Sequence, residues 1–127
     1  MSIYVKQSYG TSTITNYDDL MQVSNLTTQS NGVITLPHIK TRFVFGVYPF
    51  EALQPNSASG GYIARIDLTQ YKFVSTKSLW SSCSAVYHLG MPLCCIHDIA
   101  TDHITLFGNV NVGGAYIHWC ILGPYSD

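Results

Sequence analysis

The sequence predicts an all-β protein: an antiparallel β-sandwich of about eight short strands with one short N-terminal helix. Three observations carry that expectation. Runs rich in β-branched and aromatic residues recur from residue 31 to the C-terminus. Gly, Pro, Asn and Ser interrupt them at close intervals, which marks turns rather than long helices. One run alternates with a period of two, placing Tyr62, Ala64, Ile66 and Leu68 on one face and Ile63, Arg65 and Asp67 on the other.

The elements follow in order. Residues 1–30 form a polar segment rich in Thr, Ser, Asn and Gln, a candidate docking element. Within it, Asn16 to Val23 predicts the helix, with Asn16 as N-cap and Asp18 and Asp19 in the first turn, where the helix dipole favours acids. Residues 31–127 form the sandwich domain. Asn31-Gly32 is a turn, Val33–Leu36 a strand stopped by Pro37, and Thr41–Tyr48 a strand. Pro49 to Gly61 reads as a long loop and Gly61–Leu68 as the alternating strand. Tyr71–Thr76 and Ser84–Leu89 read as strands joined by a Ser-rich link. Leu93–Ile99 reads as a buried strand, Asp102–Asn111 as another, Gly113-Gly114 as a hairpin turn and Ala115–Leu122 as the last strand.

Composition narrows the function classes. Of the 127 residues, 46% are hydrophobic and 10% charged, with Lys+Arg 6 against Asp+Glu 7 and a formal net charge of −1. Disorder needs low hydrophobicity and high charge, the opposite of this balance. Nucleic-acid binding draws on a basic field that a net charge of −1 does not supply. No window approaches the ~20 apolar residues of a membrane span, and no basic stretch precedes an apolar core at the N-terminus. A soluble chain without a secretion signal or membrane insertion is therefore expected. A surface of hydroxyls and amides near charge neutrality favours association with copies of itself or with a larger particle, and suits uncharged sugars.

Chemistry-bearing residues are few. Cys83, Cys94, Cys95 and Cys120 have neither a CxxC nor a C2H2 spacing, and read as buried free thiols acting as small apolar residues in a protein folded in a reducing cytosol. His97-Asp98 and Asp102-His103 flank a turn at Ala100-Thr101, so a hairpin there would bring the four side chains to one end. A metal site, a ligand-contact site and a merely polar hairpin end all remain open for that cluster. Cys120 and His118, two apart on one strand, lie ~7 Å from each other, too far for proton transfer. No acid pair is set in an apolar pocket, and no Gly-rich loop precedes a helix. No enzyme activity, no metal and no cofactor are expected. Trp80, Tyr87, His88 and His103 stand beside Ser-rich or turn segments, where binding residues concentrate, and are the candidate ligand contacts. Trp119 with Ile117 and Ile121 is the candidate trimer or core packing.

The run from Asn109 to Gly123, NVNVGGAYIHWCILG, resembles the closing hairpin of C-terminal domains in bacteriophage tail fibres and of H-type lectins. Those domains often end on an apolar residue, a Trp, a small residue, an apolar residue and Gly. Here Ile117 through Gly123 match, with Trp119 as the aromatic and Cys120 where a small residue such as Ala is common. Thr105-Leu106-Phe107 is similar to the strand before. The resemblance covers roughly the last quarter of the chain. It implies a β-sandwich forming a parallel homotrimer that binds cell-surface glycan, with Arg65 and His103 as the counterparts of sugar contacts. The expectation that follows is a non-catalytic phage virion protein, folded in the host cytoplasm. It would be a tail-fibre or appendage tip whose partners are its own copies, other virion proteins and host surface polysaccharide. The alternative is a purely structural virion component, such as a head fibre or a capsid or tail decoration, with no ligand.

Overall fold

A computed structural model of the chain describes residues 4–9, 12–16, 21–24, 31–86 and 91–127. Eleven strands run through them: β1 (Tyr4–Tyr9), β2 (Ser12–Asn16), β3 (Gln22–Ser24), β4 (Gly32–Leu36), β5 (Thr41–Pro49), β6 (Gln54–Asn56), β7 (Gly61–Asp67), β8 (Trp80–Val86), β9 (Cys94–Ile99), β10 (His103–Gly108) and β11 (Tyr116–Pro124). β1 and β2 pair with each other. The other nine form two antiparallel sheets, β6-β7-β10-β9 and β3-β4-β5-β11-β8.

The two sheets pack as a sandwich because each has one apolar face. From the five-stranded sheet, Val44, Ile117, Trp119 and Ile121 point inward; from the four-stranded sheet, Ala64, Ile104 and Leu106 meet them. The alternating run of β7 behaves as its period dictates. Ala64 and Leu68 are buried, Tyr62 and Ile66 pack partly against the core, and Arg65 and Asp67 are exposed. Phe50 and Leu53, in the connection after β5, are fully buried and close one end of the core.

Several elements depart from the sequence expectation, each for a pairing reason. The N-terminal helix is not present where its ends fall. Asn16 closes β2, and Gln22 and Val23 pair with Thr35 and Ile34 of β4, so their backbone groups serve a ladder. The middle of that segment, residues 17–20, lies outside the described residues. The same pairing makes residues 22–24 the edge strand of the five-stranded sheet. The loop expected from Pro49 to Gly61 contains the short strand β6. Tyr71–Thr76 is not a strand: a 3₁₀ turn at Thr69–Tyr71 ends on Lys72 in the left-handed region, and only Phe73 pairs, with Tyr125. The Ser-rich link is itself strand, since Ser81, Ser82 and Cys83 pair with Ile121, Cys120 and Trp119.

Two further differences decide the topology. Leu93–Ile99 was expected to be buried, but among the described residues β9 pairs only with β10 and is an edge strand with Leu93, Cys95, His97 and Asp98 exposed. The Gly113-Gly114 turn does not close a hairpin. Both edges of β10 are taken by β7 and β9, and both edges of β11 by β5 and β8, so the turn carries the chain from one sheet to the other. Gly114, at φ 80°, supplies the left-handed backbone for that crossing. Among the described residues no helix is long and apolar enough to cross a membrane.

Candidate functional site

Four charged side chains, Arg65, Asp67, Asp98 and Asp102, come together with His103 at one end of the four-stranded sheet, on its outer side. β10 runs between β7 and β9 and places Thr105 beside Arg65 on one side and Asp98 on the other; one step along, His103 faces Asp67. A β-bulge sets this arrangement. Thr105 opposes Asp98 while its neighbour Leu106 opposes Ile96, so His97 is an extra residue in β9. Without it, strict alternation would turn Asp98 to the same side as Ile96, toward the core. The bulge resets the phase and sends Asp98 outward, with Ile99 facing in beside Ile104.

The consequence is a histidine held by two carboxylates. His103 Nδ1 lies 2.8 Å from Asp102 Oδ1 and His103 Nε2 lies 2.9 Å from Asp98 Oδ2. Carboxylates only accept, so two ionised carboxylates on the two ring nitrogens favour the imidazolium, which donates from both. The bond to Asp102, then the bond to Asp98, hold the His103 pKa above its ordinary 6.5, against the smaller opposing effects of burial and of Arg65. The same bond holds Asp102 below the usual carboxylate value. His103 is largely covered, at 16% side-chain exposure, whereas Asp98 and Asp102 are each 57% exposed and present free oxygen edges to solvent. Backbone bonds fix the corner, from Ala100 N–H to the His103 carbonyl at 2.8 Å and from Leu68 N–H to the Asp102 carbonyl at 2.7 Å. Asp67 accepts from the Thr69 hydroxyl at 2.6 Å and the Thr69 N–H at 2.9 Å, which holds it below the ordinary carboxylate value.

A pH dependence follows. His103 has a folded pKa above 6.5, so its contribution to stability is complete below that pH and is lost as pH rises through the folded value. Asp102 has a folded pKa below 3.8, so its contribution is present above 3.8 and is lost as pH falls through the folded value. The stability difference between the native protein and His103→Gln is therefore expected to peak between pH 3.8 and 6.5. Urea midpoints across the pH range check it, and a flat difference would contradict the clamp.

Of the sequence candidates, the structure brings Arg65 and His103 to one surface and leaves Trp80 elsewhere. Trp80 starts β8, on the outer face of the other sheet, 76% exposed. Tyr87 and His88 lie outside the described residues. Ile117, Trp119 and Ile121 are buried in the chain's own core. Asp67 was missed as a site residue. The Asp-Leu-Thr order of residues 67–69, a side-chain-to-backbone turn signal, was the feature that marked it. His97 was expected in the cluster, but its ring lies 6.3 Å from that of Phe107.

Among the described residues no group of three or more His, Cys, Asp or Glu side chains is arranged to hold a metal ion. Cys83 and Cys94 approach to 3.6 Å between sulfurs. Burial pushes the Cys83 thiol up to about 12 and raises Cys94 as well, which suppresses the nucleophilic thiolate. Held between two carboxylates, His103 favours the imidazolium, a form with no lone pair to abstract a proton. What the cluster offers instead is a set of hydrogen-bonding groups: the exposed carboxylates of Asp98 and Asp102, with Arg65 of β7 on the same face of the sheet. Comparison with protein-family models, with curated proteins and with solved structures finds no match to this chain.

Proposed function

We propose that this chain is a non-catalytic recognition protein of a bacteriophage particle, a tail-fibre or appendage tip that binds host cell-surface glycan as a homotrimer. The observation that carries the glycan part is the charged end of the four-stranded sheet. In a chain with only seven acids, Asp67, Asp98 and Asp102 gather with Arg65 around the largely covered His103. Fixed carboxylate edges accept from sugar hydroxyls, and a guanidinium donates to sugar oxygens. The rigid hairpin and bulge hold them without the entropy cost of ordering a loop. Arg65 and His103 are also the positions that the tail-fibre and H-type lectin resemblance marks. Weak single sites are the ones that gain from several copies acting on one surface.

The expected result is binding of the labelled full chain to some members of an array of bacterial surface polysaccharides. Arg65→Ala and Asp98→Asn should each weaken that binding about tenfold or more, the worth of a charged hydrogen bond, with an unchanged far-ultraviolet circular dichroism spectrum. A natively folded protein that binds no member of the array, even at high concentration, would sink the glycan reading. A structural virion component is the second reading, and the apolar outer face of the five-stranded sheet favours it.

A further inference from the structure

The two outer faces of the sandwich differ in kind. That of the four-stranded sheet carries Arg65, Asp67, Asp98 and His103. That of the five-stranded sheet carries no Lys, Arg, Asp or Glu at any paired position. Its register lines up one cross-strand row over all five strands: Val23, Ile34, Phe43, Leu122 and Trp80. An antiparallel sheet that faces water on one side alternates apolar-in with polar-out. In this row the outward positions are apolar from edge to edge. The row ends are the most open, Val23 at 43% and Trp80 at 76% exposed, and Val47, further along β5, is 49% exposed. Phe45 lies flat over Gly32, where a Cβ would stand 2.4 Å from its ring, so the surface between rows stays level.

We infer that this face is covered by a second copy of the chain. The inference rests on the multi-copy part of the proposed function and not on its glycan part. Three features select a copy over another occupant. A face with no Lys, Arg, Asp or Glu at its paired outward positions, and with His118 as its one imidazole, meets itself with little like-charge contact, whereas a charged partner would find little counter-charge on it. At strand spacings of ~4.8 Å and ~3.3 Å per residue the face spans about 500 Å² of flat sheet, and more once side-chain relief is counted. That is of the order of the ~800 Å² per partner of a stable complex and lies in the upper part of the ~300–600 Å² range of the largest apolar patch on a typical monomer. The level, aromatic-bearing surface also suits sheet-on-sheet packing at ~10 Å, with Phe43 and Trp80 as anchors.

Sedimentation equilibrium of the full chain, with Val47→Lys and Val47→Glu variants, tests this. Val47 is open in the single chain, so either charge stays in water and the variants fold; in the assembly it is buried without a partner. The wild-type chain should sediment as two or more copies. Each variant should associate about a hundredfold more weakly or worse, with native circular dichroism, and a mixture of the two should recover mass by pairing Lys with Glu. A wild-type chain that is monomeric at all concentrations overturns the inference, as does an assembly that neither variant weakens. A monomer that still binds glycan would leave the recognition reading standing without this interface. An assembly that binds no glycan would do the reverse.

Discussion

Replacing Trp119 with alanine is expected to destabilise the protein by about 3–5 kcal/mol, the cost of removing a large aromatic from a core that relaxes only partly around the cavity. The indole is 3% exposed and lies across β5 at Gly46, where a Cβ would stand 2.6 Å from its Cζ2 and 2.8 Å from its Cε2. Residue 46 is glycine because the ring takes the space a side chain would fill. Gly46→Ala should then cost about 1–3 kcal/mol by overpacking. Part of that cost should be relieved in the Trp119→Ala background, where the indole is gone and only the approach to Asn31 Oδ1, 2.8 Å from such a Cβ, remains. Urea titration of the two single variants and the double variant measures the coupling. An unfolding midpoint that Trp119→Ala leaves unchanged would contradict the packing described.

Arg42→Ala carries the next largest expected loss, about 2–4 kcal/mol, from a desolvated cation–π contact and two charged hydrogen bonds. Arg42 projects from β5 into the end of the core. Its guanidinium carbon sits 3.8 Å from the centre of the Tyr125 ring, its Nε donates to Thr35 Oγ1 at 3.0 Å and its Nη1 donates to the Tyr71 carbonyl. Tyr125 is 5% exposed and Thr35 5%, so removing the guanidinium strands a buried hydroxyl and unroofs a buried ring. Arg42→Lys should recover only part of the loss, because one ammonium cannot reach both acceptors while stacking on the ring. Asp127, whose carboxylate meets Lys40 at 2.8 Å in full solvent, is the contrast: Asp127→Asn should change stability little. Denaturation midpoints of the four proteins check the order. Equal midpoints for Arg42→Lys and the native chain would show that charge alone matters there.

How much of the candidate site was legible varies residue by residue. The spacing of His97-Asp98 and Asp102-His103 around a turn was enough to place a polar cluster, because a hairpin brings its own ends together. Which acid faces the ring was not legible. It depends on the bulge at His97, and that on how β9 fits against β10. Trp80 looked like a partner of His103 because both are polar or aromatic residues near turns. Their separation onto opposite outer faces follows from sheet assignment, which a local pattern does not contain. Asp67 joined the cluster through cross-strand pairing with His103, a contact between distant parts of the chain.

The sequence by itself determined the class of structure. Its period-two alternation in β7, its β-branched and aromatic runs and its turn residues allow strands with one apolar face each, and such faces are buried against one another. The tertiary structure decided which strands are neighbours. Leu93–Ile99 and Gly113-Gly114 show why. An apolar run is the same string whether it lies at a sheet's centre or edge, and a glycine turn is the same whether it closes a hairpin or crosses between sheets. What separates the alternatives is the occupancy of hydrogen-bonding edges, filled at β10 by β7 and β9 and at β11 by β5 and β8. Edge occupancy is a property of the whole sheet, so the apolar outer row from Val23 to Trp80 became visible only when five separate segments were set in register.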